Sequence, residues 1–354
     1  MKRSIAISVV LTMLLVTAPG CSQQAAAPEA PGPGIELSIV STIFPQYDWV
    51  RQILGDEAGH HNLALLMDSR IDLHSYQPSV SDIVKIAASD LFIHVGGVSD
   101  EWVDDVLRQA TNPDMIVINL IDVLGDAVRM DTPIEGAQGY GDCGEDDCDG
   151  DGHHHNHGHS HDHNGGHDDD GDHHHEHEDE HVWLSLRNAK VICEAIAEAL
   201  AALSPDSAEK YQNNLAAYIE KLSALDAEYQ AAVNAASVRA LLFADRFPFR
   251  YLMEDYGLGF YAAFSGCSAE AEASFSTIVF LAAKVDELGL SNVVVTESAD
   301  RSIARTVISS TAEKNQQILV LNAMQSVTQS DIQNGAEYLS VMESNLDVLK
   351  EALK

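Results

Sequence analysis

The chain has 354 residues, 45% of them hydrophobic, with a formal net charge of −35 and a pI near 4.5. That length and apolar content suit two folded domains with cores of their own. The acidity excludes nucleic-acid binding, which needs a basic footprint, and favours cations as ligands.

At the start of the chain, Lys2 and Arg3 precede an apolar run over residues 5–16. The run is too short to span a membrane and predicts a signal peptide over residues 1–20. It ends in Ala18-Pro19-Gly20-Cys21, which resembles a bacterial lipobox with Cys21 as the lipidated residue. The Pro/Ala/Gly-rich stretch 21–34 reads as a tether, so contact with a membrane is expected through the N-terminal lipid.

From Glu36, short β-rich runs at 36–42, 62–67, 90–95 and 115–120 alternate with helical patterns at 47–54, 78–88 and 100–109. Such alternation predicts βαβ units around a parallel sheet, here a first lobe over residues 35–204. The pattern breaks over 136–180, where Gly, Asp, Glu and His leave almost nothing apolar to bury, and this stretch is expected to be a disordered insertion. Helical spacing resumes after His181. Ser204-Pro205 then marks a fresh helix start. Tyr211, Leu215, Tyr218, Leu222, Leu225 and Tyr229 follow in steps of four and three, one apolar seam along a linking helix over 205–236. A second α/β lobe is expected over 237–354, with strands at 238–244, 258–264, 292–297 and 317–322 and a final helix from about Asp331 to the end. Two such lobes place a ligand cleft between them, at the carboxyl ends of the strands.

The chemistry concentrates in histidine. Of 17 His, all but His60, His61, His74 and His94 fall between His153 and His181. His153, His154, His155, His157, His159, His161, His163, His173, His174, His175 and His177 are interleaved with Asp and Glu, a strip of auxiliary sites for zinc, copper or nickel. Cys143 and Cys148 in the same stretch could add thiolates or form a local disulfide. A selective site needs donors on rigid elements. His74, His181, Asp245 and Glu297 all fall at strand ends, on the edge where the cleft is expected.

The stretches IVSTIFPQYDWVRQILGD, DLHSYQPSVSDIVKIAASDLFIHVGG, EHVWLSLRNAKVICEAIAEAL and YLMEDYGL, with the acidic His-rich segment between them, resemble the zinc- and manganese-capturing solute-binding proteins of ABC importers, the ZnuA-like group. The resemblance runs over nearly the whole chain. It implies an α/β protein of two (βα)₄-type lobes with parallel sheets joined by one long rigid helix, a cluster A-I type solute-binding protein. It also implies a monomeric extracytoplasmic lipoprotein that binds Zn²⁺, or alternatively Mn²⁺ or another divalent transition metal, and delivers it to the importer's membrane permease. His74 and His181 match the first two ligands of the family. The third register lands on Arg246, which cannot bind a cation, so Asp245 is the expected substitute. The fourth lands near Asn322, with Glu297, Glu272 and Cys267 as further candidates. Two other functions compete with this one: a surface metal buffer or adhesion lipoprotein whose His-rich segment is the whole device, and a zinc hydrolase, against which stands the absence of HExxH or any other general-base motif.

Overall fold

The computed structural model describes residues 36–68, 72–138, 177–266 and 272–354. The expected signal peptide, Cys21, the tether, Cys143, Cys148, the auxiliary histidines from His153 to His175, and Cys267 lie outside the described residues.

The first lobe runs β1 (Ser38–Ser41), α1 (Phe44–Leu54), β2 (Asn62–Leu65), α2 (Val80–Ala87), β3 (Leu91–His94), α3 (Trp102–Leu107), β4 (Ile116–Asn119) and α4 (Leu120–Leu124). Its strands pair in the order β2-β1-β3-β4, all parallel. All four residues of β3 are buried, as expected for a strand covered on both faces. Two helices follow, α5 (Leu186–Leu203) and α6 (Ala208–Ala235). The second lobe repeats the plan with β5 (Ala240–Phe247), α7 (Arg250–Asp255), β6 (Gly259–Ser265), α8 (Phe275–Leu288), β7 (Asn292–Thr296), α9 (Ser302–Ser310) and β8 (Gln317–Leu321), in the parallel order β6-β5-β7-β8. It closes with α10 (Gln329–Gln333) and α11 (Tyr338–Ala352). The single final helix expected from Asp331 is therefore two. Gly335 takes φ +91°, which a non-glycine residue adopts only with strain, and the chain turns there.

The seam expected along residues 205–236 is the buried face of α6: Tyr211, Leu215, Tyr218, Leu222, Leu225, Tyr229 and Val233. At about 1.5 Å per residue this helix is roughly 40 Å long. It serves both lobes. Near its start the Tyr211 hydroxyl donates to Glu57 (3.1 Å), and near its end the Tyr229 hydroxyl donates to the Met342 carbonyl (2.6 Å).

Further joints tie the lobes. The backbone N–H of Tyr338, at the start of α11, donates to Asp48 of α1 at 2.9 Å, and Trp49 packs edge-on against the Tyr338 ring. The Tyr338 hydroxyl donates to the Trp183 carbonyl, while the Trp183 indole donates to the Ala323 carbonyl. Burial pushes the Asp48 carboxyl up to about 6, against the lowering effect of the Tyr338 N–H and of Arg51.

Of the stretch 136–180, expected to be disordered, the described residues at both ends are held in place. Gln138 is pinned to the second lobe, its N–H donating to the Ala263 carbonyl and its side-chain oxygen accepting from the Ser274 N–H. His177 is pinned to the first, its carbonyl accepting from the Asp131 N–H, with Glu178 bridged to Met130. Asp179 and Glu180 are buried. They carry backbone and side-chain bonds that a disordered segment could not keep, and composition hid this because both acids resemble their exposed neighbours.

Candidate metal centre

Two histidines from distant parts of the first lobe meet beside the second lobe. His74 lies in a single 3-10 turn, Leu73–Ser75, after β2, and His181 immediately precedes a second such turn, Val182–Leu184. Each is the last residue of an Asp-x-His triplet, and each Asp does the same local work. Asp72 Oδ1 accepts the His74 N–H at 2.9 Å, and Asp179 Oδ1 accepts the His181 N–H at 2.9 Å. These short side-chain acceptors satisfy backbone donors that the turns leave unpaired.

The rings are oriented by carboxylates. His181 Nδ1 is 2.9 Å from Asp179 Oδ1, and His74 Nδ1 is 3.2 Å from Glu180 Oε2 and 2.8 Å from Ser99 Oγ. Glu180 is itself held by the Ser99 hydroxyl (2.5 Å) and N–H (2.7 Å). With Nδ1–H given to these oxygens, each Nε2 carries a lone pair, and the two Nε2 atoms face each other at 3.3 Å. Two lone pairs at that distance repel unless a proton or a cation lies between them. Tetrahedral zinc with Zn–N bonds of about 2.0–2.1 Å requires its nitrogen ligands to stand about 3.3–3.4 Å apart. The observed spacing fits that ion.

The electrostatics agree. Burial opposes a charge on His181, which is fully enclosed, but Asp179, Glu180 and Asp72 outweigh it and raise the imidazole above its ordinary value. Burial likewise opposes ionisation of Glu180, yet the bonds from His74 and Ser99 hold its carboxyl below the usual range. Asp179 is anchored in turn, its second oxygen 3.4 Å from Nε of buried Arg250, whose Nη2 reaches Asp131 at 3.2 Å. Gly266, after β6, presses on the pair from the second lobe. A Cβ there would lie 2.8 Å from both His181 Cε1 and the Phe247 carbonyl, so no side chain fits without moving the ring.

The remaining sequence candidates make bonds of their own. Asp245 Oδ2 accepts the Thr296 N–H at 3.1 Å and the Thr296 hydroxyl. Glu297 accepts from the Ala323 and Gln325 N–H groups at 2.8 and 3.2 Å and lies near the Ser326 hydroxyl. The Asn322 side chain accepts the Met324 N–H, and Glu272 is exposed. Arg246 lies 3.3 Å from Asp72 Oδ2. Cys193 is enclosed in α5 with its thiol pushed up by burial. Among the described residues, no group of three or more His, Cys, Asp or Glu is arranged to hold a metal; the imidazoles stand as a pair. Sequence reasoning missed Asp179, Glu180 and Ser99 as supports. The repeated Asp-x-His spacing was the signal for the first of these; nothing local marks Ser99.

The profile of a family described as "Zinc-uptake complex component A periplasmic" matches residues 39–352. The zinc-binding lipoprotein AdcA of Streptococcus pneumoniae is 32% identical over 316 residues, 89% of this chain and 56% of that protein, so the chain spans little more than half the length of the streptococcal relatives it matches. The high-affinity zinc uptake system protein ZnuA of Bacillus subtilis is 27% identical over 340 residues, 96% of this chain and 94% of that one. Among solved structures, the Zn(II)-bound ZnuA-like domain of S. pneumoniae AdcA superposes with a TM-score of 0.64 at 28% identity, covering 90% of this chain and 99% of that domain.

Proposed function

Because the chain belongs to the periplasmic zinc-uptake component A family, we propose that it captures Zn²⁺ outside the cytoplasm between its two lobes and delivers it to the membrane permease of an ABC importer. The observation that carries this reading is the pair of Nε2 atoms 3.3 Å apart, each ring held by a carboxylate on Nδ1. Imidazole with a second-layer carboxylate is a zinc-binding unit, and neutral nitrogen donors favour zinc over manganese. The zinc is cargo, and the protein acts as a receptor, as the family it belongs to does. His74 and His181 supply two bonds. Water completes the coordination, and Asp245 and Glu297 accept neighbouring backbone N–H groups. Cys21 carries the lipid, the protein works as a monomer, and the His-rich segment adds weaker auxiliary sites.

Zinc titration of the full chain against a competing chelator tests the proposal. His181→Ala and His74→Ala should each abolish the tightest site. A tight site that survives both substitutions overturns the assignment.

A further inference from the structure

A permanent positive charge stands one carboxylate away from His74. Asp245 and Arg246 are neighbours near the end of β5; its register with β6 breaks between Phe243 and Arg246, so Asp245 lies inside the break and Arg246 resumes the pairing. Their side chains go to different partners. Asp245 reaches Thr296 of β7, and Arg246 crosses to the first lobe, where Nη1 lies 3.3 Å from Asp72 Oδ2. The other Asp72 oxygen caps the His74 N–H. One carboxylate thus links the guanidinium of the second lobe to a zinc-pair histidine of the first. Arg246 and Asp72 keep 33% and 28% of their side-chain surface, while those of His74 and His181 keep 15% and 0%. The ion pair is the outer layer and the imidazoles the inner one.

We propose that Arg246 is the affinity-setting residue of the zinc site, a built-in cation that satisfies Asp72 when no metal is bound and opposes the incoming dication. The proposal rests on His74 and His181 being the zinc pair. Asp72, Asp179 and Glu180 surround the pair, and Arg250 is shared between Asp179, Asp131 and Glu254, so Arg246 is the cation that offsets Asp72. Without Arg246 the surroundings are one unit more negative toward an incoming dication. A guanidinium cannot shed its proton to relieve the conflict, as a histidine or lysine in its place could. A receptor that must give up its ion gains from this arrangement. The imidazoles supply selectivity for zinc, and Arg246 keeps the bound state from becoming too deep to empty.

The test uses the full chain, Zn²⁺ alone as ligand, and chelator competition for the tightest site at several salt concentrations. Arg246→Gln removes the charge and keeps polar donors. It should bind zinc at least about tenfold more tightly, and its advantage should shrink as salt rises, because a partly exposed charge is screened. Arg246→Lys keeps the charge and should stay within about twofold of the parent. A merely structural clasp between the lobes predicts the reverse, with Arg246→Gln weaker than the parent. An Arg246→Gln affinity equal to or below the parent's overturns the role given to Arg246 while leaving the zinc pair standing, provided His181→Ala has lost the site. A His181→Ala variant that keeps the tight site removes the pair, and this proposal with it.

Discussion

The two lobes share one strand order and use their strand-end polar residues for opposite purposes. In the first, Asp72, Asp179, Glu180 and Ser99 hold two imidazoles in place. In the second, Asp245, Glu297 and Asn322 accept backbone N–H groups of neighbouring strands and turns. A short loop leaves buried N–H groups that must find acceptors. These bonds take up part of the acceptor capacity of the second lobe's side chains. The arrangement is lopsided: the first lobe's polar residues orient the two imidazoles, and the second contributes Gly266 against His181 and Arg246 against Asp72.

The largest expected effect breaks the first lobe's side of this contrast. His181→Ala or His74→Ala should weaken the tightest zinc site at least about a hundredfold, since each removes one of two nitrogen donors. Asp179→Asn or Glu180→Gln should cost about ten- to a hundredfold, the usual toll for a second-layer partner, with the ring donor still present. Chelator competition measures both. The pH profile separates them further. His181 has a raised pKa, so its proton competes with zinc already above the ordinary value of about 6.5, and affinity falls as pH falls through that range. In Asp179→Asn this loss should begin at lower pH. In the metal-free protein the sign is reversed. Protonated His181 stabilises the fold, fully below the unfolded pKa, and this contribution disappears as pH rises through the higher folded value.

Asp48 tests the joint between the lobes. Its folded pKa of about 6 exceeds the ordinary 3.8, so the native state holds this proton longer than the unfolded chain. Stability from this group is therefore greatest below about pH 4 and is lost as pH rises through 6, by roughly 2–3 kcal/mol. Asp48→Asn keeps an acceptor for the Tyr338 N–H and cannot ionise. Its stability relative to the parent, measured by urea unfolding from pH 4 to 7, should improve by about that amount. A difference that stays flat across the range would mean that Asp48 ionises without penalty.

The second lobe's side gives the smallest effects on zinc. Asp245→Asn should leave zinc affinity within about twofold of the parent and lower stability by about 1–3 kcal/mol, the range for a charge-assisted hydrogen bond weakened in a partly buried place. A tenfold loss of zinc affinity would return Asp245 to the ligand list. Removing residues 139–176 while keeping His177 to His181 should lower zinc stoichiometry and spare the tight site. Titration calorimetry reads both quantities, and loss of the tight site would place its missing ligands in the removed segment.

Much of this was legible in the residues. Steps of four and three from Tyr211 to Tyr229 marked the spine, because a buried stripe must recur at the helical period. His74 and His181 were legible as single imidazoles at the carboxyl ends of strands or the close of a loop. Their partners were not. Asp245 is bound to Thr296 through the pairing of β5 with β7, a long-range match that no local pattern encodes. Glu180 sits in an acidic run that composition alone describes as solvated, and only its contact with Ser99, 81 positions away, makes it a buried support. Arg246 was visible as a departure from the family's ligand register, but its partner Asp72, 174 positions earlier, was not.

The anchoring of the His-rich segment at Gln138 and His177 has a kinetic meaning. No residue between those anchors is more than 19 positions from one of them. A chain extends at most about 3.3–3.6 Å per residue, so whatever its conformation, the segment cannot carry an ion farther than roughly 65 Å from an anchor. One ion confined to that radius has an effective concentration on the order of 1 mM at the centre, as for any short tether. Any ion on the segment therefore presents itself to His181, four residues beyond the second anchor, at a concentration that does not depend on the medium. An ion taken up by the segment would reach the imidazoles in a step separate from the search through the medium, and only that search would slow when zinc is scarce.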